Sequence, residues 1–294
     1  QLSTGSGGES HSLKAGGWIQ SDVGSTINAA GSGSLNLDAD AIALKGVLDA
    51  SGPLLMNLKD PAKALIKVSD HLSAEELSQL VELGLANESV DGASDNGELN
   101  SNILLGGSIT LKSATGLNLA SVHPIVLNGN LTLEKGDLQL SSTAATTGIG
   151  MMLLGAITVS DALDLQVSTG DLLSTTTSQI NVKGVKPVGI DVAGKATLAG
   201  SLLVNAEATE NGANWLTSEK AARRRLKRRR RSRLSTTEHL ILKADSLELK
   251  GAIAVGGATS ITAESINIAP SGGVVSRSDL SLVASGTNND QGIY

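Results

Sequence analysis

The chain has 294 residues, and aromatic side chains make up only 1% of them, with no Phe at all. A globular core of this size normally depends on aromatic bulk, so the composition favours thin repeated layers of aliphatic side chains with 34 Gly. The absence of Cys excludes disulfides, thiolate metal sites and cysteine nucleophiles, and the net charge of −6 is unevenly distributed along the chain.

Residues 1–52 begin with short apolar-polar alternations, of which Ser34–Leu44 is the clearest. Such alternation predicts strands, and we assign this stretch as the start of a β-solenoid. The chain begins at Gln1 without a basic leader, and its longest nearly apolar run, Gly148 to Val159, is too short to cross a bilayer. We therefore expect a water-soluble piece of a longer protein.

Residues 53–100 lose the alternation and carry helical signals. Asp60 and Pro61 can cap and start one helix that runs to about His71. A second helix is expected from Ser73, because Ser73 and Glu76 have the spacing of a capping box and an apolar stripe follows. We predict a helical insertion that leaves the solenoid, either as a small packed excursion or as a receptor-binding knob.

Residues 101–209 repeat a short apolar-x-apolar unit that is followed by turn residues. The units start at Ile109, Leu117, Ile125, Leu131 and Leu138, which are 8, 8, 6 and 7 residues apart and leave no room for helices between them. Three units per turn give a period near 20 residues, which is typical of a parallel β-helix. An antiparallel sandwich is the competing fold, but its strands are usually spaced 8–12 residues apart.

Residues 210–235 form a second predicted insertion, which is basic and has high helix propensity. Subtracting its nine positive charges from the net charge of −6 leaves −15 for the rest of the chain. The segment would bind a polyanion such as heparin or nucleic acid, dock on anionic lipid or glycan, or be cleaved after Arg, unless it is simply a solvated loop. The nine basic residues are Arg223, Arg224, Arg225, Lys227, Arg228, Arg229, Arg230, Arg231 and Arg233.

Residues 236–294 return to the strand rhythm, with apolar units at Leu240, Leu247, Ile253, Ile261 and Ile266. We assign them as the end of the solenoid. Unpaired strands at the ends of such a stack are templates for association, so we expect the isolated 294-residue chain to aggregate unless these ends are capped.

The stretches Ser34–Leu44 and Gly129–Leu140 resemble the haemagglutinin-type repeats of filamentous haemagglutinin and related two-partner-secretion exoproteins. The resemblance is one of pattern and covers residues 20–52, 103–208 and 236–284. It implies a right-handed parallel β-helix in an extracellular adhesin on the bacterial outer cell surface, exported through an outer-membrane partner. Precursors of that family are also matured near an Arg-rich segment, although here the strands resume after Ser235.

Parallel β-helices also include enzymes that act on polysaccharides, and such an enzyme needs several converging carboxylates or basic groups. Apart from the basic run, Arg277 is the only arginine, and almost no aromatic side chain is available to stack on a sugar. We therefore predict no catalytic, cofactor-binding or metal-binding residues, and we keep the enzyme as an alternative. Its candidate acids are Asp38, Asp40, Asp161, Asp164 and Asp171.

From these observations we expect a structural stalk or adhesin segment that mediates attachment. Its partner would be a receptor or glycan on a host or neighbouring cell. Binding would use the lateral faces of the solenoid, its insertions or neighbouring domains.

Overall fold

In a computed structural model, the described residues are 2–4, 7–60, 63, 65–82, 100–143, 148–205 and 238–286. Parallel strands stack as a solenoid of about 9 turns, about 23 residues apart, with very little helix. The predicted all-β solenoid is therefore confirmed. Its turns are longer than the predicted 20 residues because the corners are longer than assumed: the one between β20 (Asp171–Ser174) and β21 (Gln179–Val182) holds four residues.

In chain order the strands are β1 (Leu2–Thr4), β2 (His11–Lys14), β3 (Trp18–Ser21), β4 (Thr26–Ala29), β5 (Leu35–Ala39), β6 (Ala41–Leu44), β7 (Val47–Ala50), β8 (Leu54–Leu58), β9 (Ile66–Lys67), β10 (Asn100–Ser101), β11 (Ile103–Leu105), β12 (Ser108–Leu111), β13 (Leu117–Ser121), β14 (Ile125–Leu127), β15 (Asn130–Leu133), β16 (Leu138–Ser142), β17 (Ile149–Leu153), β18 (Ala156–Val159), β19 (Leu163–Val167), β20, β21, β22 (Val188–Leu198), β23 (Ser201–Val204), β24 (Glu238–Leu249), β25 (Ala252–Val255), β26 (Ala258–Ile268), β27 (Gly273–Ser276) and β28 (Leu280–Ala284). The α-helix α1 spans Ala74–Glu82, and a 3-10 helix spans Val68–His71.

The strands form three faces, which the chain visits in the same order in each turn. Face 1 is one ten-stranded parallel sheet in the order β1-β4-β7-β12-β15-β18-β21-β23-β25-β27. Face 2 contains β2, β5, β8, β13, β16, β19 and β28, and face 3 contains β3, β6, β11, β14, β17 and β20. The long strands β22, β24 and β26 run across both of these faces and join face 3 to the face-2 strands from β13 onward in a thirteen-stranded sheet, whereas β2, β5 and β8 form a separate three-stranded sheet.

The interior is filled by columns of aliphatic side chains, one from each turn. On face 1 the column passes in register through Ile109, Leu131, Ile157 and Ile180, each of which is at most 3% exposed. Each residue packs on an equivalent residue one turn above and below, so the narrow space is filled without aromatic rings. The aliphatic, aromatic-poor composition follows from this layered packing.

The corner between face 3 and face 1 requires glycine because successive turns approach closely there. A Cβ atom built on Gly129 would collide with the backbone carbonyl of Gly107, and one built on Gly155 would collide with that of Gly129. Glycine alone lets the peptide planes stack at this distance. The predicted corners at Lys45–Gly46, Asn128–Gly129 and Lys250–Gly251 all lie on this line.

The first insertion differs from its prediction at its start and in its first predicted helix. Leu54–Leu58 forms strand β8, which pairs with β5, so the solenoid continues past the boundary predicted at Pro53. The strand was not predicted because two consecutive leucines break the alternation of apolar and polar residues: Leu54 points inward, whereas Leu55 is 48% exposed. The helix predicted from Asp60 to His71 is wrong in its second half, where β9 and the 3-10 helix lie.

Candidate functional site

The second helix of the first insertion begins where the capping box predicts. The Glu76 backbone N–H donates to Ser73 Oγ over 3.2 Å, and the Ser73 N–H donates to Glu76 Oε2 over 2.7 Å. These two bonds satisfy amides that the first helical turn leaves without partners. They fix the start of α1 at Ala74.

The described part of the insertion, residues 65–82, packs against the outside of face 3, and we call it the cover. Beneath it lies an apolar column that points away from the solenoid interior, which we call the outer stripe. Ile66 and Val68 of the cover are fully buried against this column, and Leu72 and Leu77 also pack on it. The outer stripe consists of Ala43, Leu104, Val126, Met152 and Leu173, one from each of five stacked strands.

Two further contacts hold the cover in place. Strand β9 pairs antiparallel with β10, with Ile66 opposite Ser101. At the far end of the 3-10 helix, Asn128 Nδ2 donates a hydrogen bond of 3.1 Å to the backbone carbonyl of His71. The insertion is therefore a packed part of the molecule over the residues that the structure describes.

Sequence reasoning missed the outer stripe, although the signal is present. Strands of face 3 contain consecutive apolar residues, as in Ile103–Leu105, Ile125–Val126–Leu127 and Met151–Leu154, where faces 1 and 2 alternate apolar and polar residues. A strand that is apolar at every position is buried on both sides. These runs therefore predict something packed over face 3.

The nine basic residues from Arg223 to Arg233 all lie outside the described residues, as do their predicted neighbours from 210 to 235. The described chain stops at Asn205, after β23, and resumes at Glu238, the first residue of β24. Strand β24 pairs with β22, and β25 pairs with β23, so the ladder continues across the gap. The basic segment is thus inserted between two successive turns at the corner from face 1 to face 2.

At the same corner in earlier turns, carboxylates link one turn to the next. Asp161 Oδ2 accepts a hydrogen bond of 3.0 Å from the Gly136 N–H, and Asp137 Oδ1 accepts one of 3.1 Å from the Ala162 N–H. Lys186 Nζ also lies 2.9 Å from Asp137 Oδ1. The hydrogen bond from Lys186 is the main reason that the pKa of Asp137 is lowered.

Three of the other candidate acids bind neighbouring turns, whereas Asp164 Oδ2 accepts a hydrogen bond of 3.0 Å from Gln166 Nε2 in its own strand. Asp40, which is 4% exposed, accepts a hydrogen bond from the Asp60 N–H, and Asp171 accepts one of 2.8 Å from the Lys195 N–H. Asp38 accepts one from a side-chain amide in the next turn. Among the described residues, no three His, Cys, Asp or Glu side chains are grouped so that they could hold a metal ion. The contacts of Asp38, Asp40 and Asp171 therefore join adjacent turns.

The outer side of face 1 carries a half-buried polar column in register with the ladder. Three threonines stack in the middle of the column. An amide and a carboxylate precede them on the N-terminal side, and a second amide follows them on the C-terminal side. This surface is a flat array of hydroxyl and amide groups that repeats once per turn. The column consists of Asn28, Asp49, Thr110, Thr132, Thr158 and Asn181.

A search for membrane-spanning helices among the described residues found none with sufficient length and apolar character. Comparison with known proteins gave no match to a protein-family profile, to a curated protein or to a solved structure. The resemblance to haemagglutinin-type repeats therefore rests on the repeat pattern of the sequence.

Proposed function

We propose that the chain is a segment of a rigid stalk of the adhesin type, displayed on or released from a bacterial cell, which attaches to a receptor or glycan on a host or neighbouring cell. The observation that supports this proposal is the unbroken ladder of face 1, in which ten strands are paired in one sheet. At about 4.8 Å per turn, the described turns make a rod roughly 40 Å long. Such a rod separates its two ends and offers long lateral faces.

The polar column of face 1 is the binding surface that we favour within this stalk. Its side chains point outward and are half-buried, and Asp49 is paired with Lys112, 2.8 Å away, so the hydroxyl and amide groups are the part that we propose to bind. A regular row of hydroxyl and amide groups suits a ligand that is itself polar and repetitive, such as a glycan chain. Face 3 is less suitable because the cover occupies part of it.

Attachment is tested with microspheres coated with the 294-residue chain and applied to epithelial cells and to bacterial cells. Thr110→Glu, Thr132→Glu and Thr158→Glu together are expected to reduce attachment about fivefold or more, because they replace the hydroxyl column with negative charge that the anionic surfaces of cells repel. The matched control places Glu at the exposed face-2 positions Asn118, Ala120 and Gln139. Coated spheres that attach no better than albumin-coated spheres would overturn the proposal.

A second function, binding of a polyanion, is supported by the segment Arg223–Arg233. Nine basic side chains in eleven residues stand against a charge of −15 for the rest of the chain. Such a concentration of charge releases counterions from phosphate or sulfate groups, which favours binding at low salt. The segment is also inserted between two turns whose strands pair directly, so we do not expect its loss to disturb the ladder.

Polyanion binding is measured by elution from immobilised heparin and by titration with duplex DNA over a range of salt. We expect the chain to elute well above physiological salt, with a salt slope of up to about 0.9 per phosphate contacted. Replacing all nine basic residues with Gln keeps the length and should abolish retention. Equal retention of this variant would remove the polyanion function and leave the stalk proposal unaffected.

A further inference from the structure

The contact between the cover and the solenoid contains two buried polar atoms that lack hydrogen-bond partners. They are Nδ1 of His71 and Oδ1 of Asn128. These residues touch, because Asn128 Nδ2 donates to the His71 backbone carbonyl. A buried ring nitrogen without an acceptor can stay neutral at modest cost, but it cannot carry a proton without a large one.

The charges around His71 oppose its protonation further. Burial is the main reason that the pKa of His71 is lowered from 6.5, and the cation of Lys45, at the corner of the solenoid, lowers the pKa as well. Asp70, on the same 3-10 helix, acts in the other direction and is outweighed. Lys45 and Asp70 are the charged side chains that act on the ring within the part of the chain that the structure describes.

We propose that the cover is an acid-sensitive lid over the outer stripe and that this lid opens more often when His71 takes up a proton. The closed cover buries Ile66 and Val68 completely, so protonation raises the frequency of opening rather than removing the cover. Leu104, Val126 and Met152 belong to the same apolar cluster as the buried residues of the cover, and each opening would expose this cluster. The outer stripe would then present its apolar surface more often in acid than at neutral pH.

The direction of the effect follows from proton linkage. In the open form the imidazole has an ordinary pKa near 6.5, whereas the closed form binds the proton more weakly. Closure is therefore fully stable above pH 6.5 and weakens as the pH falls below it. If the closed form bound no proton at pH 5, opening would increase by at most about 30-fold.

The chain carries its own probe and its own control for this proposal. Met152 lies in the outer stripe, while the adjacent Met151 points into the solenoid interior, and both are fully buried. Hydrogen peroxide oxidises a thioether only when it is exposed, and the thioether itself does not titrate. Oxidation of each methionine is followed by peptide fragmentation mass spectrometry at pH 7.5 and pH 5.0.

We expect Met152 to be oxidised five- to 30-fold faster at pH 5.0 than at pH 7.5, with Met151 unchanged. His71→Asn, which cannot take up a proton, should remove this dependence, and Lys45→Gln should reduce it. An unchanged Met152 rate in the wild-type chain would overturn the proposal. So would a rate that rises equally in His71→Asn, or a parallel rise of Met151, because acid would then act elsewhere or on the whole solenoid.

Discussion

Gly129 shows how closely successive turns approach at the corner between face 3 and face 1. Its backbone lies against that of Gly107 in one direction and of Gly155 in the other. A side chain there would displace two turns at once, because each corner peptide rests on the next. The cost of a substitution therefore falls on the ladder rather than on one loop.

For this reason we expect Gly129→Ala to lower the free energy of unfolding by about 1–3 kcal/mol, the usual cost of forcing an extra methyl group into a close contact. The matched control is Gly16→Ala, where an added Cβ would meet no atom within 4 Å. Urea unfolding followed by circular dichroism measures both variants. Equal midpoints for Gly129→Ala and the wild type would show that the corner can relax.

Glu248 is a second residue whose role depends on its neighbours in adjacent turns. Its carboxylate contacts Lys195 and also Lys250 Nζ, 3.0 Å away, and its side chain is 18% exposed. Burial alone would raise the pKa of Glu248, but the hydrogen bonds from Lys195 and Lys250 outweigh burial and lower it. The ionised form therefore stabilises the folded state.

Glu248→Gln is expected to lower the free energy of unfolding by about 1–2 kcal/mol at pH 7, because hydrogen bonds to a charged group contribute about 1.5–3 kcal/mol and solvent screens the partly exposed lysines. Because the folded pKa is lowered from 4.5, this contribution is present above pH 4.5 and is lost as the pH falls through the folded value. Chemical unfolding at pH 7, 5 and 3 should show the two proteins converging in acid. A difference that is constant with pH, or that matches the exposed control Glu9→Gln, would contradict this role.

At the scale of the element, α1 depends on its capping box more than on its length. Nine residues are too few for an isolated helix to be stable in water. The helix therefore relies on the two bonds between Ser73 and Glu76 and on the contact of Leu77 with the outer stripe. Loss of either should loosen the cover while the solenoid stays folded.

Ser73→Ala removes the cap and should cost the helix about 1 kcal/mol, which is about a fivefold faster hydrogen exchange of the amides in α1. Ser73→Thr keeps the hydroxyl and serves as the control that should exchange like the wild type. Exchange in the strands of face 1 should be unchanged in both variants. The same exchange rate for α1 in Ser73→Ala and wild type would mean that packing alone holds the helix.

The strands and corners of this fold are predictable because each reports a local physical constraint. The alternation at Leu117–Leu119 indicates that one side of the strand is buried, and Gly129 indicates that two backbones approach closely. The cover could not be predicted in place, because an apolar run such as Ile103–Leu105 says that both sides are buried without saying by what. The carboxylate contacts of Asp137 and Asp161 join residues about 25 positions apart, which only the register of the turns reveals.

On the scale of the whole molecule, the solenoid is a series of similar turns in which each contacts mainly its neighbours. The corner that carries residues 206–237 is bridged elsewhere by short links, such as the three residues between β18 and β19. The register of β22 with β24 is the same kind of parallel pairing as in other turns. The described ladder therefore does not depend on the inserted segment for its pairing.

Replacing residues 206–237 with a four-residue Gly-Ser turn is accordingly expected to preserve the sheet. The far-ultraviolet circular dichroism spectrum should be unchanged apart from the shorter length, and the melting temperature should shift by no more than about 2 °C, the equivalent of about 1 kcal/mol or less for a domain of this size. Loss of the sheet signal, or precipitation of the variant alone, would show that the segment has a structural part to play.

The direction of the strand pairing also decides how such a rod would respond to force. The hydrogen bonds of the ladder run along the axis, and each turn of about 23 residues contributes only about 4.8 Å of length. If tension peeled one turn from an end, that turn would extend to about 75–80 Å. If the solenoid acts as the proposed tether, it would unfold one turn at a time under tension and lengthen at each step. A cell held under shear would then be slowed gradually before its bond to the partner breaks.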